Sequence, residues 1–261
     1  MQWISEEKMT SGQRKLKRGI EHVRTLCSET SAFEEAGAYS FDWARDLRSP
    51  QEALYRCYAD QREAPPGHWP LLAGEAIQNL RSALDHLVYE AAEGKGKTQF
   101  PIFTKIDDYR KKGKPMIKTV PEEMWDSIES IQPFSFMPEH ADQHPLAILH
   151  ALSNLDKHRV LATVVSAVTH EGVGIPEGVE LNWKNPATNK EIGAGRTPIS
   201  TFVVRAEGGV ADVEVEPMFS YEVRVERRPV GTLKEIGNTV YRAYFEVDRG
   251  EKAPPMLPHP L

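Results

Sequence analysis

The stretch that decides the fold is residues 70–92, which read PLLAGEAIQNLRSALDHLVYEAA. Its apolar side chains recur with a period near 3.6, at Ala73, Ile77, Leu80, Leu84, Leu87 and Ala91. The spacing predicts an amphipathic helix, with Pro70 near its start and Gly94 beyond its end. Such an apolar face must be covered, and a second helix of the same kind is the simplest cover.

Three further segments show a helical period and are predicted to supply that cover: 5–35, 144–167 and 231–247. We therefore predict an antiparallel bundle of about four helices. The end of the 144–167 segment carries the β-branched residues Thr163, Val164 and Val165, which also favour a strand. A short helix is expected over 121–131.

The predicted fold class is α+β, because strand patterns interrupt the helices. Residues 38–62 alternate around Arg48-Ser49-Pro50 and predict a β-hairpin insertion. Gly208-Gly209 separates two apolar runs, 201–207 and 210–216, as in a tight hairpin, and 220–227 is a further strand. These later strands predict a small C-terminal antiparallel sheet. Residues 94–118 are expected to form a basic loop, and 171–200 to be irregular.

The predicted organisation has four parts. A helical bundle containing the hairpin occupies residues 1–170, and a β-rich insertion occupies 171–230. The helix 231–247 returns to the bundle, and the proline-rich residues 253–261 form an extended tail.

Composition excludes several classes of protein. The chain has 261 residues, 40% hydrophobic and 27% charged, with a net charge of −6, so no overall basic field or DNA-binding signature is present. No segment resembles a signal peptide or a membrane span. Two cysteines, Cys27 and Cys57, suit a reducing compartment, although they could pair. We expect a cytoplasmic protein with no membrane partner and no cofactor.

Polar residues gather on the two central helices. The first carries Asn79, Arg81, Asp85 and His86, and the second carries His150, Asn154, Asp156, Lys157, His158 and Arg159. His150, Asn154 and His158 are spaced at four and share a face. One interpretation is structural: Arg81 pairs with Asp85 four residues away, Asp156 reaches Arg81 across the helices, and His158 is a bonded core histidine. The chain would then be a non-enzymatic interaction module.

Five short runs support a resemblance to other chains. They are NLRSALDHL at 79–87, FPI at 100–102, QPF at 132–134, HPL at 144–146 and NLDKHR at 154–159. With these landmarks the chain resembles a group of bacterial proteins of unknown function. The resemblance implies common descent and says little about activity.

The segment from Arg81 to His86 also resembles the Rx4–6H motif of HEPN-domain proteins. That resemblance implies a helical bundle, often a homodimer, that cleaves or binds RNA without a metal ion. His86 would be the acid/base and Arg81 the phosphate clamp, while His158 and Arg159 would add a second basic pair. Asn79, Asp85, Asn154, Asp156 and Lys157 would line the binding site.

Arg62 and His68 also match this motif, in a predicted turn. Residues five apart on a helix also lie about 140° apart, so Arg81 and His86 could share a site only through a bend or a second subunit.

Other candidate sites are rejected or left as surface. Residues 91–98 fit a loose phosphate-loop pattern but follow a helix instead of a strand. His144, His150 and His158 have spacings that do not place them on one helix face, which argues against zinc. The basic run 109–114 with Lys118 is interpreted as a solvated loop, with phosphate binding as the alternative.

Overall fold

The fold is described from a computed structural model, which covers residues 6–169, 178–186, 190–211, 213, 215 and 219–249. The chain is mixed helix and sheet, which confirms the α+β class. It divides into two compact units. The described parts of 1–28, 68–162 and 230–261 form a helical unit, and those of 29–67 and 163–229 form a β unit.

Four long helices dominate the helical unit: α1 (Ser11–Glu35, of which residues 11–28 belong here), α2 (Trp69–Ala91), α7 (Pro145–Asp156) and α8 (Gly231–Arg249). Short helical segments lie between α2 and α7, namely α3 (Ile106–Asp108), a π-helical turn (Tyr109–Gly113), α4 (Lys114–Met116), α5 (Trp125–Ser130) and α6 (Pro133–Phe136). Single 3₁₀ turns occupy Glu6–Lys8, Glu122–Met124 and Ala141–Gln143.

The predicted apolar faces form the core of this unit. Leu16, Ile77, Leu80, Leu149 and Ile236 are all inaccessible to solvent. Helices α2, α7 and α8 contact one another. α1 runs antiparallel to α2, because its early residues meet the end of α2 and its later residues meet the start of α2.

A glycine sets the approach of α1 to α2. A Cβ atom at Gly19 would lie only 2.8 Å from Cγ of Leu80 and 3.0 Å from the backbone nitrogen of the same residue. Because that leucine is fully buried and cannot move aside, the two helices approach closely only where the side chain is absent.

The β unit holds two antiparallel sheets. The strands are β1 (Tyr39–Ser49), β2 (Glu52–Gln61), β3 (Thr163–Thr169), β4 (Val179–Asn185), β5 (Lys190–Glu191), β6 (Arg196–Ala206), β7 (Phe219–Val225) and β8 (Arg228–Pro229). One sheet has the order β1-β2-β6-β4 and the other the order β5-β3-β7-β8.

The hairpin at 38–62 is present as predicted, but its place in the fold differs. β2 pairs with β6 over most of its length, so the hairpin and the later strands form one sheet. Every second residue of β2 is buried, and Tyr55 stacks on Phe202 of β6 with ring centroids 4.8 Å apart. We assigned the hairpin to the helical part because sequence spacing does not reveal this long-range pairing.

The predicted helix over 144–167 is too long. α7 ends at Asp156, and Thr163–Thr169 is strand β3, paired antiparallel with β7. Residues 157–162 separate the two elements, and the β-branched residues 163–165 favour a strand. Val160, which follows the end of α7, is exposed.

The predicted basic loop at 94–118 contains helix. Residues 106–116 form three consecutive helical turns, anchored by Tyr109, which is fully buried beside Phe103 and Phe134. Arg110, Lys111 and Lys112 are exposed on this segment. The sequence predicts a loop because most residues of this segment are basic or polar, and one aromatic residue, Tyr109, gives no helical period.

The predicted Gly208-Gly209 hairpin is also wrong within the described residues. β6 already has neighbours on both edges, so no edge is left for residues that follow it. Instead the amide of Val210 donates to the carbonyl of Pro50 at 2.9 Å, and the Arg45 guanidinium donates to the Val210 carbonyl. The segment therefore closes over the β1–β2 turn.

Residues 171–200 were expected to be irregular, yet β4, β5 and the start of β6 lie in this range. Residues 171–177 and the predicted tail at 253–261 lie outside the described residues. Cys27 and Cys57 are not joined by a disulfide bond. In the described part of the chain, no helix combines the length and apolarity needed to cross a bilayer.

Candidate functional site

Arg81, which is buried, and Asp85, which is half-buried, form an ion pair on α2. Nη2 of Arg81 donates to Oδ1 of Asp85 at 2.8 Å and to the carbonyl oxygen of Phe100 at 2.7 Å. The same Asp85 oxygen accepts the amide proton of Phe100 at 3.0 Å. The pair thus satisfies both backbone groups of a fully buried residue and fixes the chain that leaves α2.

Burial shifts the pKa values of Arg81 and Asp85 in opposite directions, and both shifts disfavour the charged form. Burial lowers the pKa of Arg81, against the attraction of Asp85. Burial also raises the pKa of Asp85, against Arg81, the Phe100 amide, Lys157 and His86. Arg81 is 4% exposed, and its Nη1 is sealed from solvent without an acceptor among the described residues. Arg81 is therefore a structural group in this geometry, not an accessible phosphate clamp.

α7 brings a histidine to this pair that was left out of the predicted site. Burial, then the charges of Arg81 and Lys157, lower the pKa of His150. Nε2 of His150 lies 3.1 Å from Nδ2 of Asn154, whose Oδ1 accepts from Nζ of Lys157 at 3.3 Å. The spacing of His150 and Asn154 at four residues was the sequence signal for this cluster.

Asp156 bonds to α2, but not to the predicted residue. Its Oδ2 accepts from Nε2 of Gln78 at 2.9 Å, and that amide also donates to the carbonyl oxygen of Ser153 at 3.2 Å. A Cβ atom at Gly74 would lie 2.6 Å from Oδ1 of Asp156, so glycine permits the approach. The carboxylate therefore joins α7 to α2 at Gln78, one turn before Arg81.

His158 and Arg159 are exposed in the turn that follows α7. In the described part of the chain, no hydrogen bond or ion pair connects His158 to Arg81 or His86. The structure thus does not bring the predicted second basic pair to the motif. His158 is not a core histidine either, because its side chain is exposed.

His86 belongs to a second polar cluster, on the side of α2 that faces α1. Its Nδ1 lies 2.6 Å from Oγ of Ser11, and that hydroxyl donates to Oε1 of Glu90 at 2.6 Å. Oε1 of Glu90 also accepts the backbone amides of Ser11 at 2.9 Å and Gly12 at 3.2 Å. Glu90 therefore caps the first turn of α1, where a carboxylate is favoured by the helix dipole.

This bonding fixes the tautomer of His86. Ser11 has one hydroxyl proton, which Glu90 accepts, so Nδ1 of His86 must supply the proton of their shared bond. Nε2 of the neutral ring then carries a lone pair, and no described residue donates to it. His86 is half-buried, so this nitrogen is suited to accept a proton from a bound molecule.

A surface cleft of about 700 Å³ lies beside this cluster, between α1 and Asn79 of α2, and we call it the α1 cleft. Its other lining residues are Glu7, Ser11, Arg14, Lys15, Lys17, Arg18 and Glu21. Four cations thus face two carboxylates, and the local balance is positive in a chain of net charge −6. The run RKLKR at 14–18 was the overlooked sequence signal.

The two halves of the motif therefore lie on different faces of α2. Arg81 and Asp85 face Phe100 and α7, whereas Asn79 and His86 face the side of α1. Of the predicted site residues, only Asn79 and His86 belong to the α1 cleft and its neighbouring cluster. No group of three metal-binding side chains is found in the described residues.

We compared the chain with models of protein families, with curated proteins and with solved structures, and none of the three comparisons gave a match. The resemblances noted in the sequence thus remain predictions, and inference about function starts from the geometry of the two clusters.

We predict that Asp85→Ala lowers the free energy of unfolding by about 3–5 kcal/mol, because it leaves a buried guanidinium without its counter-charge. Adding Arg81→Met should restore part of the loss, since a buried pair costs less to replace than to break. Urea denaturation followed by circular dichroism measures both. Lys112→Met with Asp108→Ala, an exposed pair at the same spacing, is the control and should change little. If the losses in free energy of unfolding caused by Asp85→Ala and by Arg81→Met simply add in the double variant, the two side chains do not stabilise the fold as a pair.

We also predict that stability falls as the pH drops below about 6.5. Burial lowers the pKa of His22, His144 and His150, so in this window the unfolded chain binds protons that the folded chain does not. Free energies of unfolding at a series of pH values should therefore rise with pH through this window. His150→Gln should reduce the pH dependence of the free energy of unfolding more than His158→Gln, which changes an exposed histidine and serves as the control. Equal slopes for both variants would refute the prediction.

Proposed function

We propose that this protein binds RNA along the α1 cleft, by the sugar-phosphate backbone, and that His86 acts on the bound strand as a proton acceptor. The observation that carries the proposal is the basic face of α1 beside a histidine whose Nε2 lone pair is free among the described residues. Lysine and arginine side chains bind phosphates of any sequence, at the cost of strong salt dependence.

The charge of the region supports this choice of ligand. Between Lys8 and Arg24 the sequence holds six lysine and arginine residues and one carboxylate, that of Glu21. Arg14, Lys15 and Arg18 are exposed, and Asn79 adds an amide at the opposite wall of the cleft. A polyanion is therefore attracted here even though the chain is acidic overall.

The chemistry available at His86 is cleavage at a 2′-hydroxyl. Nε2 takes the proton of that hydroxyl, and the 2′-oxygen forms a bond to the adjacent phosphorus. The bond from phosphorus to the 5′-oxygen breaks, and the leaving oxygen takes a proton from solvent. The products are a 2′,3′-cyclic phosphate and a 5′-hydroxyl end. In this proposal the exposed cations of α1 stabilise the phosphate charge, a role that the motif assigns to Arg81.

A second candidate is a non-enzymatic interaction module. It is favoured by the bonds that tie Arg81 and Asp85 to Phe100, and Asp156 to Gln78, because those residues are then occupied in holding the fold. In this hypothesis Asn154, Lys157, His158 and Arg159 are the solvated edge of a structural network. The two candidates differ in whether the α1 cleft binds RNA.

We further propose that α1, α2, α7 and α8 form an antiparallel bundle. Support comes from the order of contacts: Gly12 approaches Tyr244 and Gly237 approaches Val23, so α1 also runs antiparallel to α8. Gln78 of α2 meets the end of α7.

A homodimer and a cytoplasmic location stay predictions. Light scattering on the purified protein would measure its mass and test the first of these two.

We predict that replacing Arg14, Lys15 and Arg18 together by glutamine weakens binding to a single-stranded RNA oligonucleotide by about tenfold or more. The slope of log affinity against log salt should become shallower by roughly two, about 0.7 for each lost cation. Fluorescence anisotropy over a salt series measures both quantities. Arg110, Lys111 and Lys118, also exposed, give a control triple with the same charge change.

This charge-matched control decides between two basic surfaces. If the triple at 110, 111 and 118 weakens binding more than the triple on α1, the RNA site lies on the π-helical segment and the proposal is wrong. If neither triple changes binding, or the wild-type protein does not bind, the interaction-module hypothesis is favoured.

Cleavage is tested with His86→Asn. The asparagine amide keeps a donor at the position of Nδ1 for Ser11 but has no group in place of Nε2, so the α1 contact is retained without the base. We expect this variant to bind RNA like the wild type and to lose cleavage of end-labelled RNA in EDTA. A DNA strand of the same sequence, which lacks the 2′-hydroxyl, should stay intact. Equal cleavage by the variant and the wild type would remove His86 from the mechanism.

A further inference from the structure

A second cleft in the helical unit lies where the start of α7 meets α8, away from the residues of the proposed RNA site. We call it the His144 cleft, and it has a volume of about 270 Å³. Its apolar lining comprises Ile131, Phe136, Met137, Pro145, Leu146 and Ala243. Its polar lining comprises Ser130, His144, Thr239, Arg242 and Glu246. An apolar wall with a few polar groups is the usual composition of a small-molecule site.

His144 supplies a hydrogen-bond donor that no described residue accepts. The residue is 4% exposed, and its Nδ1 accepts the backbone amide of Leu146 at 3.2 Å, which caps α7. In the neutral ring the proton therefore stands on Nε2. Among the described residues no acceptor bonds to Nε2, and this atom is not sealed from solvent. A buried imidazole with an unused donor in a cleft is suited to a ligand acceptor.

The charge around His144 favours an anion. Arg242 is exposed and lines the cleft together with His144. Burial, and then the charge of Arg242, lowers the pKa of His144. The cleft is also lined by the first two residues of α7, where the helix dipole is positive. Glu246, one turn from Arg242 on α8, is the opposing carboxylate in the lining.

An exposed aromatic ring completes the site. Phe136 is 69% exposed, an unusual state for a phenylalanine, and its ring meets that of His144 edge to face with centroids 5.5 Å apart. Met137 lies next to it in the lining, and thioethers adapt to varied apolar shapes. This wall has the chemistry to cover the apolar body of a ligand while its anionic end reaches the polar groups.

We propose that the His144 cleft binds a small amphipathic carboxylate. The carboxylate accepts from Nε2 of His144 and pairs with Arg242, and an aromatic or aliphatic body lies against Phe136 and Met137. Because drug-sized ligands fill roughly 300–1,000 Å³, a cleft of about 270 Å³ selects a smaller molecule, such as an arylalkanoate.

The test uses 3-phenylpropionate as the probe and isothermal titration calorimetry as the measurement. The neutral 3-phenylpropanol, the cationic 3-phenylpropylamine and acetate each lack one part of the proposed pharmacophore. We expect each of these three to bind at least about tenfold more weakly than 3-phenylpropionate, since a charge-assisted bond or the apolar burial is lost. Equal binding of the alcohol, or preferred binding of the amine, would overturn the proposal.

Charge variants on one face of α8 provide an internal contrast. Arg242→Gln should weaken 3-phenylpropionate binding by about tenfold, and Glu246→Gln should tighten it, because the first removes attraction and the second repulsion. Both residues reach solvent, so neither change removes a buried core group. If both variants bind the probe as the wild type does, the carboxylate does not lie at this place and the proposal fails.

Two further variants separate binding from folding. His144→Asn keeps a favourable cap for α7 but lacks the Nε2 donor, so it should retain the melting temperature within a few degrees and lose affinity. Phe136→Ala alters an exposed side chain and should lower affinity without unfolding the protein. Unchanged affinity in Phe136→Ala would contradict the proposed position of the apolar body, even if His144→Asn fails to fold.

Discussion

The ion pair between the buried Arg81 and the half-buried Asp85 is the constraint on which the helical unit depends. A guanidinium and a carboxylate are costly to remove from water, and this pair is compensated by both backbone groups of Phe100. The chain that leaves α2 must therefore turn back against it. The same bonds commit Arg81 to the interior, so a residue that the motif would assign to chemistry instead holds the fold.

Helical geometry separates the remaining polar groups. Residues four apart share a face, so Arg81 and Asp85 point together to Phe100 and α7, whereas His86 lies about 140° away from Arg81 and meets α1. The close approach of α1 at Gly19 brings Ser11 within reach of His86 and Glu90. One helix thereby presents the Arg81–Asp85 pair on one side and the half-buried His86 on the other.

Local charge differs from net charge in this protein. The chain is acidic overall, yet the exposed face of α1 is basic, and the His144 cleft places Arg242 and the start of α7 opposite one carboxylate, that of Glu246. The two places differ in shape. The α1 cleft is wide and lined mainly by charged side chains, as suits an extended polyanion, whereas the His144 cleft is small with an apolar wall.

The sequence by itself determined the α+β class, the long helices and the hairpin, because apolar periodicity and turn residues are local signals. It also indicated that Arg81 pairs with Asp85, since residues four apart are neighbours on any helix. Only the tertiary structure decided that Phe100 completes that pair, that Asp156 bonds to Gln78, and that β2 joins β6. These contacts link residues that are distant in the chain. Packing of the helices and strands decides which residues meet, and the local periodicity of the sequence carries no information about it. For the same reason, the half-buried position of His86 and the His144 cleft follow only from the assembled helices.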